Sequence, residues 1–226
     1  VVAFARVASS LYCGSNLAVP SDQEMKKILH QVWVQGEDYL PLEFVKNREA
    51  WRSVLPDGWE MILWDDQKAR RQWDDYDAVS NTCSHHAMRA DLILARAQRD
   101  FGGLAMGTDV VPHKTDGLWV WCANNSSLVV CNIQGRSASN GVSWFAQPQH
   151  PFIKCVCLHQ LRNRALLRDK NVWRVTGPGC WYEALSRHHW DICMVSDKHA
   201  YTHLYSDKKI TNDSAWVNPG YAGSWH

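Results

Sequence analysis

The segment from Met88 to Pro112 sets the terms on which the rest of this chain can fold. Its first half reads as a helix. Met88, Leu92, Ala95 and Phe101 recur on one apolar stripe, which leaves Arg89, Arg96, Arg99 and Asp100 for the outward face. Gly102-Gly103 ends that helix, because glycine takes the left-handed backbone of a C-cap without steric cost. Leu104-Ala105-Met106 follows as a short buried strand and leaves through Gly107-Thr108-Asp109 into Val110-Val111-Pro112. Ligands of α/β sheets bind outside the carboxyl ends of the strands, so Asp109 stands where chemistry is expected.

The flanking sequence supplies the other elements of such a sheet. Residues 27–34 predict a first buried strand, 42–55 a helix with Phe44, Val45, Trp51 and Leu55 on one side, and 59–64 a second strand after the turn Pro56-Asp57-Gly58. Asp65-Asp66 reads as the N-cap of a helix over 67–73, with Asp74-Asp75-Tyr76-Asp77 as a polar, solvated loop beyond it. Residues 113–121 read as a loop or short strand. The β-branched run 127–133 predicts a strand, and 135–139 a flexible turn. A strand and then a helix over 152–167 follow, the helix started by Pro151, with Cys155, Leu158, Leu161 and Leu166 inward and Arg162, Arg164 and Arg168 outward. Thr176 before Gly177-Pro178 reads as a helix N-cap.

At 226 residues the chain can bury one good core, expected over 25–226 behind an irregular lead over 1–24. The net charge is +1 with the two signs interleaved, so no basic stripe marks a nucleic-acid partner and no block marks a membrane surface. The N-terminal apolar run is short and broken by Arg6, which excludes it as a membrane span. Thirteen tryptophans suit packing as well as the faces of sugars and bases. The eight cysteines form no C-x-x-C pair; scattered thiols of this kind fit a cytoplasmic protein. His85-His86 beside Cys83 and His188-His189 near Cys193 leave a Cys/His metal site as a remote alternative.

Asp91, Gly102-Gly103 and Asp109 stand at the spacing of a known family. The stretch resembles the glycosyltransferases whose sugar-binding region carries Asp-x-Asp, a group of yeast initiation mannosyltransferases, α-1,4-galactosyltransferases and large clostridial toxin catalytic domains. The resemblance extends to Ile28-x-His30-Gln31-x-Trp33, to Leu63-Trp64-Asp65-Asp66, to the run from Asn140 through His150-Pro151-Phe152, to Thr176-Gly177-Pro178 and to Gly223-Ser224-Trp225. Three positions depart from the family pattern: Leu94 stands where the family has Arg, Ala105 where it has Tyr, and Gly107 where it has the first Asp.

The resemblance implies a GT-A (Rossmann-like) α/β fold with a central mixed sheet flanked by helices. It implies a retaining, divalent-metal-assisted hexosyl- or pentosyltransferase that moves a sugar from a nucleotide-sugar donor to a carbohydrate or protein-glycan hydroxyl. Asp91, Asp109 and Asn140 would serve catalysis. His30, Gln31, Val32, Trp33, Asp91, Thr108, Asp109, Asn140, Ser224 and Trp225 would hold the nucleotide sugar, and Asp109, Ser224 and Asn218 would hold Mn²⁺ or Mg²⁺. Read from residues alone, Trp33 fits either a core position or a platform for the base, and Asn140 either a turn or a sugar contact. Family members of the Golgi carry an N-terminal anchor, so a lumenal catalytic domain trimmed of its anchor stands beside the cytoplasmic expectation. The three departures motivate a second function: a protein of the same fold that binds a nucleotide sugar or glycan without transferring it.

Overall fold

The computed structural model describes residues 27–132, 137–166, 171–196, 200 and 215–219. The expected lead over 1–24, and Ser224 and Trp225, lie outside the described residues. Six strands form the main sheet: β1 (Ile28–Val32), β2 (Glu60–Trp64), β3 (Gly103–Met106), β5 (Ser127–Asn132), β6 (Ser137–Phe145) and β7 (Cys193–Ser196), in the order β2-β1-β3-β6-β5-β7. β1 pairs in parallel with β2 and β3, β6 runs antiparallel to β3 and β5, and β7 lies parallel to β5. This is a mixed sheet with helices on both faces.

Alternation along the strands assigns those faces. Leu104 and Met106 point to one side, where Leu128, Val130 and Trp144 join Trp51 of α1 (Leu42–Val54) and Leu118 of α5 (Asp116–Asn124). Ala105 points to the other, under Ile93 and Ala97 of α4 (His86–Phe101). Val129 and Phe145 continue that second face against Phe152 and Val156 of α6 (Pro151–Leu166) and Trp181 of α8 (Pro178–Arg187). With both faces covered, the central strands are buried almost without interruption rather than in alternation.

The order β2-β1-β3 means the chain leaves β1 toward one neighbour and returns on its other side. That reversal opens a crevice at the carboxyl ends of β1 and β3. The double glycine makes the return possible. Gly102 and Gly103 have φ of 69° and 88°, and a Cβ on Gly103 would stand 2.6 Å from the Ile28 carbonyl oxygen. Any other residue would meet both backbone strain and a clash with β1.

Several expectations change once the chain is packed. Arg96 is not an outward residue: it is buried, donates to both oxygens of Asp75 at 2.8 Å, and lies over the Trp73 ring. The stretch expected as a polar, solvated loop is partly α3 (Tyr76–Ser80); its Asp74, Asp75 and Asp77 are exposed as expected, with Asp75 paired to Arg96 and Asp77 to Arg70. Residues 116–124 form α5 rather than a loop, because Gly117 lets the helix lie against Trp216, whose Nε1 would stand 2.7 Å from any Cβ there. On α6 the buried positions are Phe152, Ile153, Val156, Cys157, His159 and Gln160, while Leu158 is exposed. The helix is rotated from its leucine stripe because Gln160 donates inward to the carbonyls of Thr176 and Asp91.

Asp65 caps α2 (Asp66–Gln72) as expected, accepting from the Lys68 amide at 2.6 Å. The tryptophans are mainly packing residues: Trp51, Trp144 and Trp181 are fully buried, and Trp64 stacks between Trp73 and Phe101. Seven cysteines fall among the described residues, most of them buried. No group of three or more His, Cys, Asp or Glu side chains able to hold a metal occurs among the described residues. No described helix is long and apolar enough to cross a membrane.

Candidate active-site cleft

A cleft of about 370 Å³ opens at the β1/β3 switch. β1 and the turn after it contribute Val32, Trp33, Val34 and Gln35. The first half of α4 contributes His86, Ala87, Ala90, Asp91 and Leu94. Met106, Gly107, Thr108 and Asp109 come from the end of β3, and Gly141 from β6. Its size is that of a small-molecule site.

The loop carrying Asp109 is fastened from three directions. Gly107 closes a turn with Val110 and donates its amide to the Gly141 carbonyl. Asn47 of α1 donates to the Thr108 carbonyl at 3.2 Å, and Trp51 Nε1 to that of Val110 at 2.8 Å. Gly107 has no positive φ; its missing side chain serves space instead, since a Cβ would stand 2.6 Å from Asp109 Oδ1. Beyond the turn, β4 (Val110–Pro112) pairs antiparallel with β8 (Val217–Pro219), which sets Pro219 opposite Val110 and Asn218 opposite Val111. The tail strand therefore runs toward the Asp109 end of the loop. Asn140 occupies β6 next to the cleft-lining Gly141.

Asp91 is buried on α4, and its Oδ2 accepts from the Thr176 hydroxyl at 2.8 Å. Thr176 is itself fully buried, its carbonyl held by Gln160. It is not the expected N-cap: Gly177 caps α8, and the Thr176 side chain turns to the cleft carboxylate instead. Nothing in the chain order signals this contact, which joins residues 85 apart. Gly177 lies beside the same carboxylate, with Asp91 Oδ2 3.4 Å from the position of a Cβ. Arg89 does not take the place of an arginine at Leu94, because it is paired with Asp66, which also accepts from the Tyr76 hydroxyl.

Two of the residues expected at the nucleotide turn away from the cleft. His30 is fully buried between Trp64 Nε1 and the Gly102 carbonyl. The indole N–H can only donate, so Nδ1 is the acceptor at 3.0 Å and Nε2 carries the proton that reaches Gly102 at 2.9 Å. Burial lowers its pKa to about 4 against the raising effect of the Gly102 bond, which keeps the ring neutral. Gln31 is likewise buried, its Oε1 accepting from Arg48. His30 and Gln31 point to opposite faces of β1, and each is covered on its own side, His30 by Trp64 and Gln31 by Arg48 of α1, while the strand opens to the cleft only at its end, from Val32 onward. Trp33 does line the cleft, half-buried, with Nε1 donating to the Tyr39 carbonyl and its ring edge-on to Phe44. Val32, Trp33, Asp91, Thr108 and Asp109 are thus brought together, with Asn140 alongside.

The charge of the cleft is one-sided. Two carboxylates and one imidazole line it, and no Lys or Arg does among the described residues.

No family model matches the chain, and no curated protein matches it in sequence. Among solved structures it is similar to "PaToxG Glycosyltransferase", with a TM-score of 0.56 and 15% identity over 71% of this chain and 68% of that one. At this identity the likeness speaks for the fold, a GT-A-type arrangement of a mixed sheet flanked by helices.

Proposed function

We propose that the protein is a glycosyltransferase that takes a sugar from a nucleotide-sugar donor in this cleft and delivers it to a hydroxyl of a carbohydrate or protein-glycan acceptor. The observation that carries this reading is the meeting of Trp33, Asp91 and Asp109 at the β1/β3 switch of a fold shared with a glycosyltransferase. Trp33 stacks the base, its ring already oriented by Tyr39 and Phe44. Asp91 accepts from sugar hydroxyls, and Thr108 and Asp109 face the diphosphate.

Asp109 is the residue for a Mn²⁺ or Mg²⁺ ion, joined in this reading by Asn218 of the tail strand and by Ser224, with Trp225 closing on the donor. The ion, when bound, supplies positive charge at the diphosphate oxygens. The acceptor oxygen bonds to the anomeric carbon from the face the diphosphate leaves, the bond to the diphosphate oxygen breaks, and the acceptor's proton passes to that oxygen. Configuration is retained. Asp91, held by Thr176, keeps the sugar oriented and places negative charge where cationic character develops on the ring.

A second reading rests on Gly107: with one carboxylate in the turn, the site would bind donor without turnover. A hydrolysis screen across nucleotide sugars, with and without Mn²⁺, separates the two when paired with calorimetry. Metal-dependent release of nucleoside diphosphate supports transfer, binding without release supports the second reading, and neither sinks both.

A further inference from the structure

Resting on the sugar-transfer reading, we infer that His86 is a further donor-binding residue, its Nε2–H set to hold an oxygen of the diphosphate. His86 opens α4 and lines the cleft on its exposed side. Its Nδ1 turns back along the helix to Arg89 Nη2 at 3.2 Å. A guanidinium can only donate, so Nδ1 is the acceptor and the ring's proton sits on Nε2. That nitrogen meets no partner among the described residues. The ring is steered from the core. Arg89 is paired with Asp66, which accepts from the buried Tyr76 hydroxyl and donates its amide to the Val34 carbonyl at 3.1 Å. The chain Tyr76–Asp66–Arg89–His86 therefore decides which imidazole nitrogen is offered to a ligand.

A histidine placed to take a proton has the opposite arrangement, with a carboxylate on Nδ1–H and a bare Nε2. Here the ring gives a hydrogen bond, and the question is to which group. Ionised Asp91 and Asp109 can only accept, so they serve hydroxyls or a cation and offer nothing to a phosphate oxygen. An imidazole N–H does, and bonds to charged oxygens are shorter and stronger than those to neutral ones. The location of the ring agrees. His86 is the first residue of a 16-residue helix with no acidic residue in its first turn, so the local field favours an anionic oxygen. Between His86 and Asp91 lies about 7.5 Å of helix rise, comparable with the span from a sugar-ring hydroxyl to the phosphates of the same donor.

Calorimetry on the full chain tests this with UDP and GDP as probes, each with Mg²⁺ and with EDTA. For whichever diphosphate binds, His86→Ala should weaken binding by about 10-fold, the size of a hydrogen bond to a charged oxygen. His86→Gln, whose amide nitrogen reaches the place of Nε2, should restore it to within about 3-fold. His86→Asn, whose amide reaches only the place of Nδ1, should not. Melting temperatures should stay together, because the side chain is exposed. Phosphorus and proton NMR of the same complexes locates the contact: the diphosphate resonances should differ between wild type and His86→Ala while the base protons hold. A loss below about 2-fold, rescue by Asn in place of Gln, or base protons that move while the phosphorus signals stay overturns the inference and leaves the transferase reading standing. If neither UDP nor GDP binds the wild type under either condition, the transferase reading falls and this one with it.

Discussion

His30 should make this protein lose stability between pH 7 and pH 5, well above the range where most carboxylates titrate. The imidazole is fully buried, accepts from Trp64 on one nitrogen and donates to Gly102 from the other, and its pKa is lowered to about 4, chiefly by burial. In the unfolded chain the ring returns to its ordinary value of 6.5. The folded pKa lies below the unfolded one, so the unfolded state binds more protons in between. The contribution is complete above the unfolded value and disappears as pH falls toward the folded one.

Integrating that difference from pH 7 to pH 5 gives a loss of roughly 2 kcal/mol, a sizeable part of an ordinary domain's stability. His150 and His159 are also lowered by burial and act in the same direction, so the comparison must isolate His30. His30→Gln removes the titration. It should lower stability at pH 7, since one of the two bonds is lost, yet show a smaller decline toward pH 5. Urea unfolding at pH 5, 6 and 7 for both proteins reads the difference between the two declines. If the wild type and His30→Gln fall in parallel, His30 is not held neutral by its surroundings and the tautomer argument fails.

Asp109→Ala should cut turnover by about 10²–10³ with the fold intact by circular dichroism, and wild-type rates at saturating donor would remove Asp109 from the site. Gly107→Ala should reproduce part of that loss, because its Cβ would stand 2.6 Å from Asp109 Oδ1 and force that carboxylate to shift. Trp33→Ala should weaken nucleoside diphosphate binding by about 1–3 kcal/mol in calorimetry, whereas a fall in melting temperature alone would mark Trp33 as a packing residue. Thr176→Val, which keeps the shape and removes the donor to Asp91, should weaken nucleotide-sugar binding more than nucleoside diphosphate binding, while Thr176→Ser restores it. Equal loss for both ligands would reduce Thr176 to a structural role.

Much of this molecule could be read from residues that act on their neighbours in sequence. A helix stripe, a glycine pair at left-handed φ, an Asp that caps the next turn and a β-branched run are all consequences of backbone sterics and short-range hydrogen bonds. The order of strands and helices around Asp109 followed from them, and the same local logic set Trp33, Asp91, Thr108 and Asp109 at element ends. What the chain order did not contain was direction and partnership. His30 faces Trp64 and Gly102, Arg96 turns in to Asp75, α6 rotates to bring Gln160 under Thr176, and Thr176 reaches Asp91 from 85 residues away. Each of these is a buried polar group that must find a partner wherever the fold puts one, and leaving it unpaired would cost about 1–3 kcal/mol. Those partners come from other elements of the sheet and its helices, so only the assembled structure decided them. The pairing of β8 with β4 is of the same kind: three residues near the end of the chain take their place beside the Asp109 loop because an open strand edge was there to receive them.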